Sequence, residues 1–170
     1  PLHSDEDGQH KIAIGIRAID DLVLREKCLQ AEKESARKRL QFRKDLLSTI
    51  GKIYRAIYFL DLDKSTYMEI TGEAEYQKII GNEGLLTKNT PTIVSSFIAP
   101  ESKASMKDFL DLSTLSDRLR ERDTLSQPYL TADGLWHLGC FIVKRRHEDG
   151  SVATLLYTIQ NINEFKRTEI

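Results

Sequence analysis

Two carboxylates one residue apart, Asp61 and Asp63, close the apolar run Tyr58-Phe-Leu-Asp-Leu-Asp-Lys-Ser65. With a magnesium ion holding a phosphate, the first could attack phosphorus and the second could exchange a proton with the leaving oxygen. That reaction also needs a later lysine and a further acidic pair, and no acidic motif in a suitable context follows Asp63. The simpler account is structural: Asp61 ends a strand and Asp63 starts a turn. Cys140, between Gly139 and Phe141, reads as a small buried thiol, and Cys28 stands far from it without disulfide or zinc spacing. Both are expected as free thiols of a reducing compartment. Of the histidines, only His137 falls near the expected core, where a hydrogen bond is a better account of it than a metal. His3, His10 and His147 do not converge on it, so neither a metal nor a cofactor is expected. Gly81-Asn-Glu-Gly84 lacks the ending of a phosphate loop, and the basic clusters Arg37-Lys-Arg39 and Lys144-Arg-Arg-His147 read as solvated surface. Trp136 is expected in the core.

The totals set the bounds within which such residues must be placed. In 170 residues, 25 basic side chains stand against 26 acidic ones, for a net charge of −1. That balance argues against a nucleic-acid partner. No apolar run approaches the ~20 residues that cross a bilayer, so this segment is expected to make no membrane contact and to be cytoplasmic. The length suits one domain with an appendage.

Residues 1–10 have little to bury and are expected to be a tail or half of a hairpin. Residues 20–48 are rich in Glu, Lys, Arg, Leu, Gln and Ala, without Gly or Pro, and predict a long helix. Leu22, Leu29, Ala36, Ile50 and Ile57 share one heptad register, and Leu40, Leu47 and Tyr54 fill the other seam position, with interruptions at Glu26, Lys33 and Arg43. Such a seam needs a partner helix, most simply one from a second copy of the chain; a solvated linker helix is the alternative. Residues 55–62 and 66–71 predict a β-hairpin, residues 73–80 a short helix closed by Gly81, and residues 105–122 a further helix. Residues 81–100 give no clear signal. Strands are predicted at residues 126–131, 135–146 and 151–162, parted by Asp133-Gly134 and Asp149-Gly150. Two strands, helices, then three strands predict an α+β domain: a five-stranded antiparallel sheet with helices on one face, preceded by a long helix.

One pattern occurs twice. Ile14-Gly-Ile-Arg-Ala-Ile-Asp20 runs into a charged helix start, and Leu156-Tyr-Thr-Ile-Gln-Asn-Ile-Asn163 does the same. Each reads as a β-branched strand ending in a residue that suits a helix N-cap. The element order over roughly residues 48–163 resembles the PAS sensory fold. Asp133-Gly-Leu-Trp-His137 is similar to the turn and tryptophan that begin that family's long fourth strand. Ala99-Pro-Glu-Ser102 resembles the approach to its helical region, and Asn161-Ile-Asn163 stands where the family has an Asp-Ile-Thr junction. Asn161 cannot make the salt bridge of the family's aspartate, whereas Asn163 can still cap a helix. The resemblance divides the chain into the tail and last strand (12–19) of a preceding PAS-like module at 1–19, a connector helix at 20–48, a PAS-like domain at 49–163 and the start of an output helix at 164–170.

That resemblance implies a non-catalytic sensory and dimerisation module of a bacterial multidomain signalling protein. It would relay a signal through its flanking helices to an output domain such as a histidine kinase or diguanylate cyclase. The signal junctions would be Ile19 and Asp20 at one side and Trp136, Asn161, Ile162 and Asn163 at the other. The homodimer would form along Leu22, Leu29, Ala36, Leu40, Leu47 and Ile50. An unidentified small molecule would be sensed in a cavity of about 300 Å³ or more with convergent polar groups, whereas a filled interior would mark a structural relay. The enzyme-class alternative is a haloacid-dehalogenase-type phosphatase using Asp61 and Asp63.

Overall fold

The computed structural model describes residues 6–168, with side chains described for residues 15–166. Residues 1–5 of the expected tail and residues 169 and 170 of the expected output helix lie outside that range. The chain divides into two units, Pro1–Leu46 and Leu47–Ile170.

The first unit is helical throughout its described length. Helix α1 (Glu6–Ile53) includes the residues expected to form a strand at 12–19 and continues through Gly51, past the boundary expected near residue 48. A strand satisfies its backbone only beside another strand, and none of the described strands pairs with this stretch. A helix closes its hydrogen bonds within itself, so an unaccompanied segment becomes helical whatever its β-propensity. The repeated pattern therefore folds in two ways, because its second copy has strands on both sides. Extension of the helix also places Ile19 in the heptad seam with Leu22. Ile19, Leu22, Leu29 and Leu40 stand at 54% exposure or more, and Leu47 is exposed too. Ala36 is exposed and Ile50 half-buried. Tyr54 and Ile57, expected to continue the seam, instead belong to the first strand, so the seam ends at Ile50.

In the second unit, α1 passes directly into β1 (Tyr54–Asp61), and β2 (Thr66–Gly72) returns beside it. Helix α2 (Ala74–Ile80) ends at Gly81, whose φ of 76° closes the last turn through a bond from its amide to Gln77. The stretch that gave no clear signal folds as β3 (Glu83–Leu85) and α3 (Leu86–Phe97). The single helix expected over 105–122 is two, α4 (Pro100–Phe109) and α5 (Leu112–Arg118). Asp111 divides them, because its carboxylate accepts from the Ser113 amide at 3.0 Å and hydroxyl at 2.6 Å and so starts a new helix. Then follow β4 (Thr124–Leu130), β5 (Trp136–Arg146), β6 (Val152–Asn161) and α6 (Asn163–Thr168).

The strands form one sheet in the order β3-β2-β1-β6-β5-β4, antiparallel at every pairing. The domain is thus α+β and PAS-like, with a sixth strand, β3, too short to show a period in sequence. Tyr58 and Leu60 of β1, Phe141 of β5, and Leu155, Tyr157 and Ile159 of β6 meet Met106, Phe109 and Leu115 of the helices. Phe141 lies between Phe109 and Tyr157, each ring centre 4.9 Å away. Gly139 makes this closeness feasible, since a Cβ there would stand 2.8 Å from the Tyr157 hydroxyl.

One consequence of the strand order positions everything below. The first and last strands, β1 and β6, are central neighbours, so the point where the chain enters the sheet, Tyr54, faces the point where it leaves, Gln160.

Candidate functional site

At that end of the sheet the start of β1, the start of β5 and the end of β6 come together, with Tyr54 opposite Gln160 and His137 opposite Asn161. Arg55, on β1, reaches two partners. Its Nε donates to Glu73 Oε1 at 2.8 Å and its Nη2 to Oε2 at 2.5 Å, a two-point grip on the residue that precedes α2. Its Nη1 lies 3.0 Å from His137 Nε2. A guanidinium only donates, so Nε2 accepts and the ring proton of the neutral imidazole sits on Nδ1. Nδ1 is buried and meets no hydrogen-bond partner. His137 is 1% exposed. Burial first, and the Arg55 charge second, hold its pKa down to about 4, which keeps the ring neutral. The pKa of Arg55 is raised, chiefly by the hydrogen bond to Glu73. The His137 ring stands nearly perpendicular to that of Tyr129, centres 5.7 Å apart.

The residue before His137 faces the outgoing helix. Trp136 accepts from the Ile162 amide at 2.9 Å and donates its own amide to Asn163 Oδ1 at 3.5 Å. Lys166 places its ammonium 5.6 Å from the Trp136 ring centre. Asn161 Oδ1 accepts from the Asn163 amide at 2.9 Å, so the helix start is capped from Asn161 rather than by the side chain of Asn163. Trp136, expected in the core, is half-buried beneath Lys166. Of the residues expected at the junctions, Trp136, Asn161, Ile162 and Asn163 form one contact set. Ile19 and Asp20 lie within α1 in the first unit, exposed and helical.

Asp61 and Asp63 sit at the opposite end of β1. Asp61 accepts from the Lys64 amide at 3.1 Å and closes the β1–β2 turn, which lowers its pKa. Asp63 is 2.9 Å from His147 Nε2 and 3.9 Å from Arg145. The phosphatase alternative is thereby corrected: it needs parallel strand-helix units, and β1 has antiparallel neighbours on both sides. Among the described residues, no group of three or more His, Cys, Asp or Glu side chains could hold a metal ion. Cys28 and Cys140 are both free thiols, with Cys140 half-buried rather than enclosed and its pKa raised by burial. Lys144, Arg145 and His147 are solvated as expected, but Arg146 donates inward to the Leu119 and Arg122 carbonyls at 3.0 and 2.8 Å. It ties the end of the helical region to β5.

The interior between sheet and helices contains a cavity of about 50 Å³, lined by Tyr58, Tyr67, Tyr76, Phe141 and Tyr157 among others. That is space for one or two waters. Beside the junction is a larger, open cleft of about 370 Å³ whose lining includes Arg55, Tyr76, Lys78, Asp133 and His137. Arg55 and Glu73 were missed by sequence reading. The one available signal was a cation at the head of an otherwise apolar strand run, Arg55-Ala-Ile-Tyr-Phe-Leu.

No protein-family model matches the chain. No curated protein matches it either. Among solved structures it is similar to a sensory box histidine kinase/response regulator from Burkholderia thailandensis E264, at 17% identity over 67% of this chain and 81% of that one, with TM-score 0.40. It is also similar to the N-terminal domain of a diguanylate cyclase with PAS/PAC sensor from Marinobacter aquaeolei, at 12% identity over 65% and 97%, TM-score 0.40. A third is the PAS domain of the fruit-fly ELK potassium channel, at 11% identity over 64% and 87%, TM-score 0.35. At TM-scores of 0.40 or lower these likenesses carry no weight of their own. What makes the domain PAS-like is its own strand order, β2-β1-β6-β5-β4, with α2 to α5 inserted between the first hairpin and the last three strands.

Proposed function

We propose that the chain is a non-catalytic signalling module that dimerises along α1 and relays a conformational signal through its PAS-like sheet to α6 and whatever follows it. The observation that carries this reading is the adjacency of the incoming and outgoing chain at the centre of one sheet, Tyr54 opposite Gln160. A displacement of the last turn of α1 need cross only one strand pair to reach the start of α6. The interior, at about 50 Å³, is far below the ~300 Å³ at which ligand sites begin and supports the structural relay, so a small-molecule sensor would have to use the open cleft of about 370 Å³ beside Arg55 and His137.

Dimerisation through α1 rests on the exposed seam Leu22, Leu29, Leu40 and Leu47, which on a lone helix leaves apolar surface in water. Among the described residues no helix is long and apolar enough to cross a membrane, so lipid is not what covers that seam as a spanning helix would be covered. The test is sedimentation of the chain beside its Leu29→Glu and Leu40→Glu variants. The parent sediments as a dimer at micromolar concentration and each variant as a monomer with unchanged far-ultraviolet dichroism. A parent that stays monomeric at high micromolar concentration overturns the dimer, and a variant that stays dimeric moves the interface off α1.

A further inference from the structure

We propose that Arg55 is the coupling residue of the domain: one guanidinium joins the head of β1, the start of α2 and the imidazole of His137, whose neighbour Trp136 holds the outgoing helix. This deepens the relay reading and rests on it. The geometry is specific. Arg55 stands two residues beyond the end of α1, at Ile53, so a shift of the last helical turn reaches its backbone through Tyr54 alone. Its side chain is mostly enclosed, at 22% exposure, and all of its named contacts are made at 3.0 Å or less. His137 is buried, so water cannot replace the guanidinium there and its ring must follow or lose the hydrogen bond, whereas the half-exposed Glu73 carboxylate can turn to water. His137 is pinned on its own strand between the Tyr129 and Asn161 ladders. A pull on its ring is therefore a pull on the start of β5. That start is what α6 grips, through the Ile162 amide on the Trp136 carbonyl and the Trp136 amide on Asn163. The unpartnered Nδ1 of His137 marks the set as incompletely satisfied, which is where a second arrangement costs least.

The test is amide hydrogen exchange on the chain and on Arg55→Met. In Arg55→Met the amides of Trp136, Ile162 and Lys166 exchange at least tenfold faster relative to those of Leu110 and Leu156, which report the helical region and the mid-sheet. If all five accelerate in step, Arg55 is a stabilising residue only and the proposal falls. Should Arg55→Met not fold, Arg55→Lys decides the matter. Lysine keeps the charge near Glu73 without the fork, and the same three amides must loosen ahead of the references.

A second arm separates this proposal from the relay itself. Gly51→Pro, which kinks the last turn of α1, is measured alone and in the Arg55→Met background. Exchange near α6 that responds to Gly51→Pro only when Arg55 is present is the expected result. An equal response in both backgrounds leaves the relay standing and removes Arg55 as its conductor. No response in either removes the relay and the proposal together.

Discussion

The two ends of β1 carry nearly the same chemistry and put it to different use. At one end Arg55, Glu73 and His137 are a cation, a carboxylate and an imidazole within hydrogen-bonding distance. At the other, Arg145, Asp63 and His147 repeat the three types, with separations of 2.9 and 3.9 Å. What differs is water. Glu73 and His147 are equally exposed, at 39%, but Asp63 and Arg145 have side chains 49% and 60% exposed, whereas that of Arg55 is 22% exposed and His137 is 1% exposed. An exposed ion pair exchanges one set of good partners for another and contributes about 0–1 kcal/mol. The enclosed contact of Arg55 with His137 has no second set, so a displacement of one is felt by the other. The residue types mark where a network can form, and burial decides whether it can transmit anything.

The largest effect expected from this contrast is on Arg55. Arg55→Met leaves the half-exposed Glu73 carboxylate without its two-point grip and the buried His137 Nε2 without a donor, and costs about 2–3 kcal/mol, chiefly from the buried acceptor left unpaired. The measurement is urea unfolding at neutral pH. Adding Glu73→Gln to Arg55→Met recovers only a small part of the loss, because the half-exposed carboxylate left behind is hydrated. A cost for Arg55→Met below about 1 kcal/mol, in the range of surface pairs, would erase the difference between the two ends.

Next in size is the response to acid. His137 has an ordinary pKa of 6.5 and is held down to about 4 in the folded chain, by burial first and Arg55 second. As pH falls below 6.5 the unfolded chain takes up a proton there, and the folded chain refuses it until about 4. Stability contributed by the neutral ring is therefore present in full at neutral pH and is lost as pH falls through that window. The loss reaches about 2 kcal/mol toward pH 4. Chemical denaturation at intervals between pH 7 and 4 reads it directly, and His137→Gln flattens the slope. A slope that His137→Gln leaves unchanged would place the titrating groups elsewhere.

Sequence alone carried much of the architecture and little of this site. Strand pairs punctuated by Asp133-Gly134 and Asp149-Gly150 are a local signal, and those strands lie where expected within a few residues, whereas the helix expected at 20–48 extends over Glu6–Ile53. Residues 12–19 misled because strand formation is not local: the same β-branched pattern is a strand at β6, between β1 and β5, and a helix where no described strand accompanies it. Asp111 was legible in principle, as an Asp-x-Ser cap inside a helical run, but hydrophobic spacing outweighed it. Trp136, Asn161, Ile162 and Asn163, expected from two separate short motifs, one after a turn and one at a strand end, do meet in space. Arg55 and Glu73 were not foreseen, since their meaning lies in a contact between residues 18 positions apart and in a burial that no spacing encodes.

The smallest effect is expected at the end that drew attention first. Asp63→Asn removes the charge that faces His147 and Arg145, and because all three side chains are more than a third exposed, water compensates for it. The change in unfolding free energy is at most about 0.5 kcal/mol at low ionic strength. In roughly 0.5 M salt it shrinks further, since the Debye length is then about 4 Å, close to the contact distance itself. The cost of Arg55→Met, arising chiefly from the buried His137 acceptor, changes less over the same range. Urea denaturation of both variants at low and high salt therefore separates the ends of β1 by a property that magnitude alone does not supply. A salt-independent loss above 1 kcal/mol for Asp63→Asn would mean that the β1–β2 turn and the β5–β6 turn form a second enclosed network. Burial would then have failed to tell the transmitting end of the sheet from the solvated one.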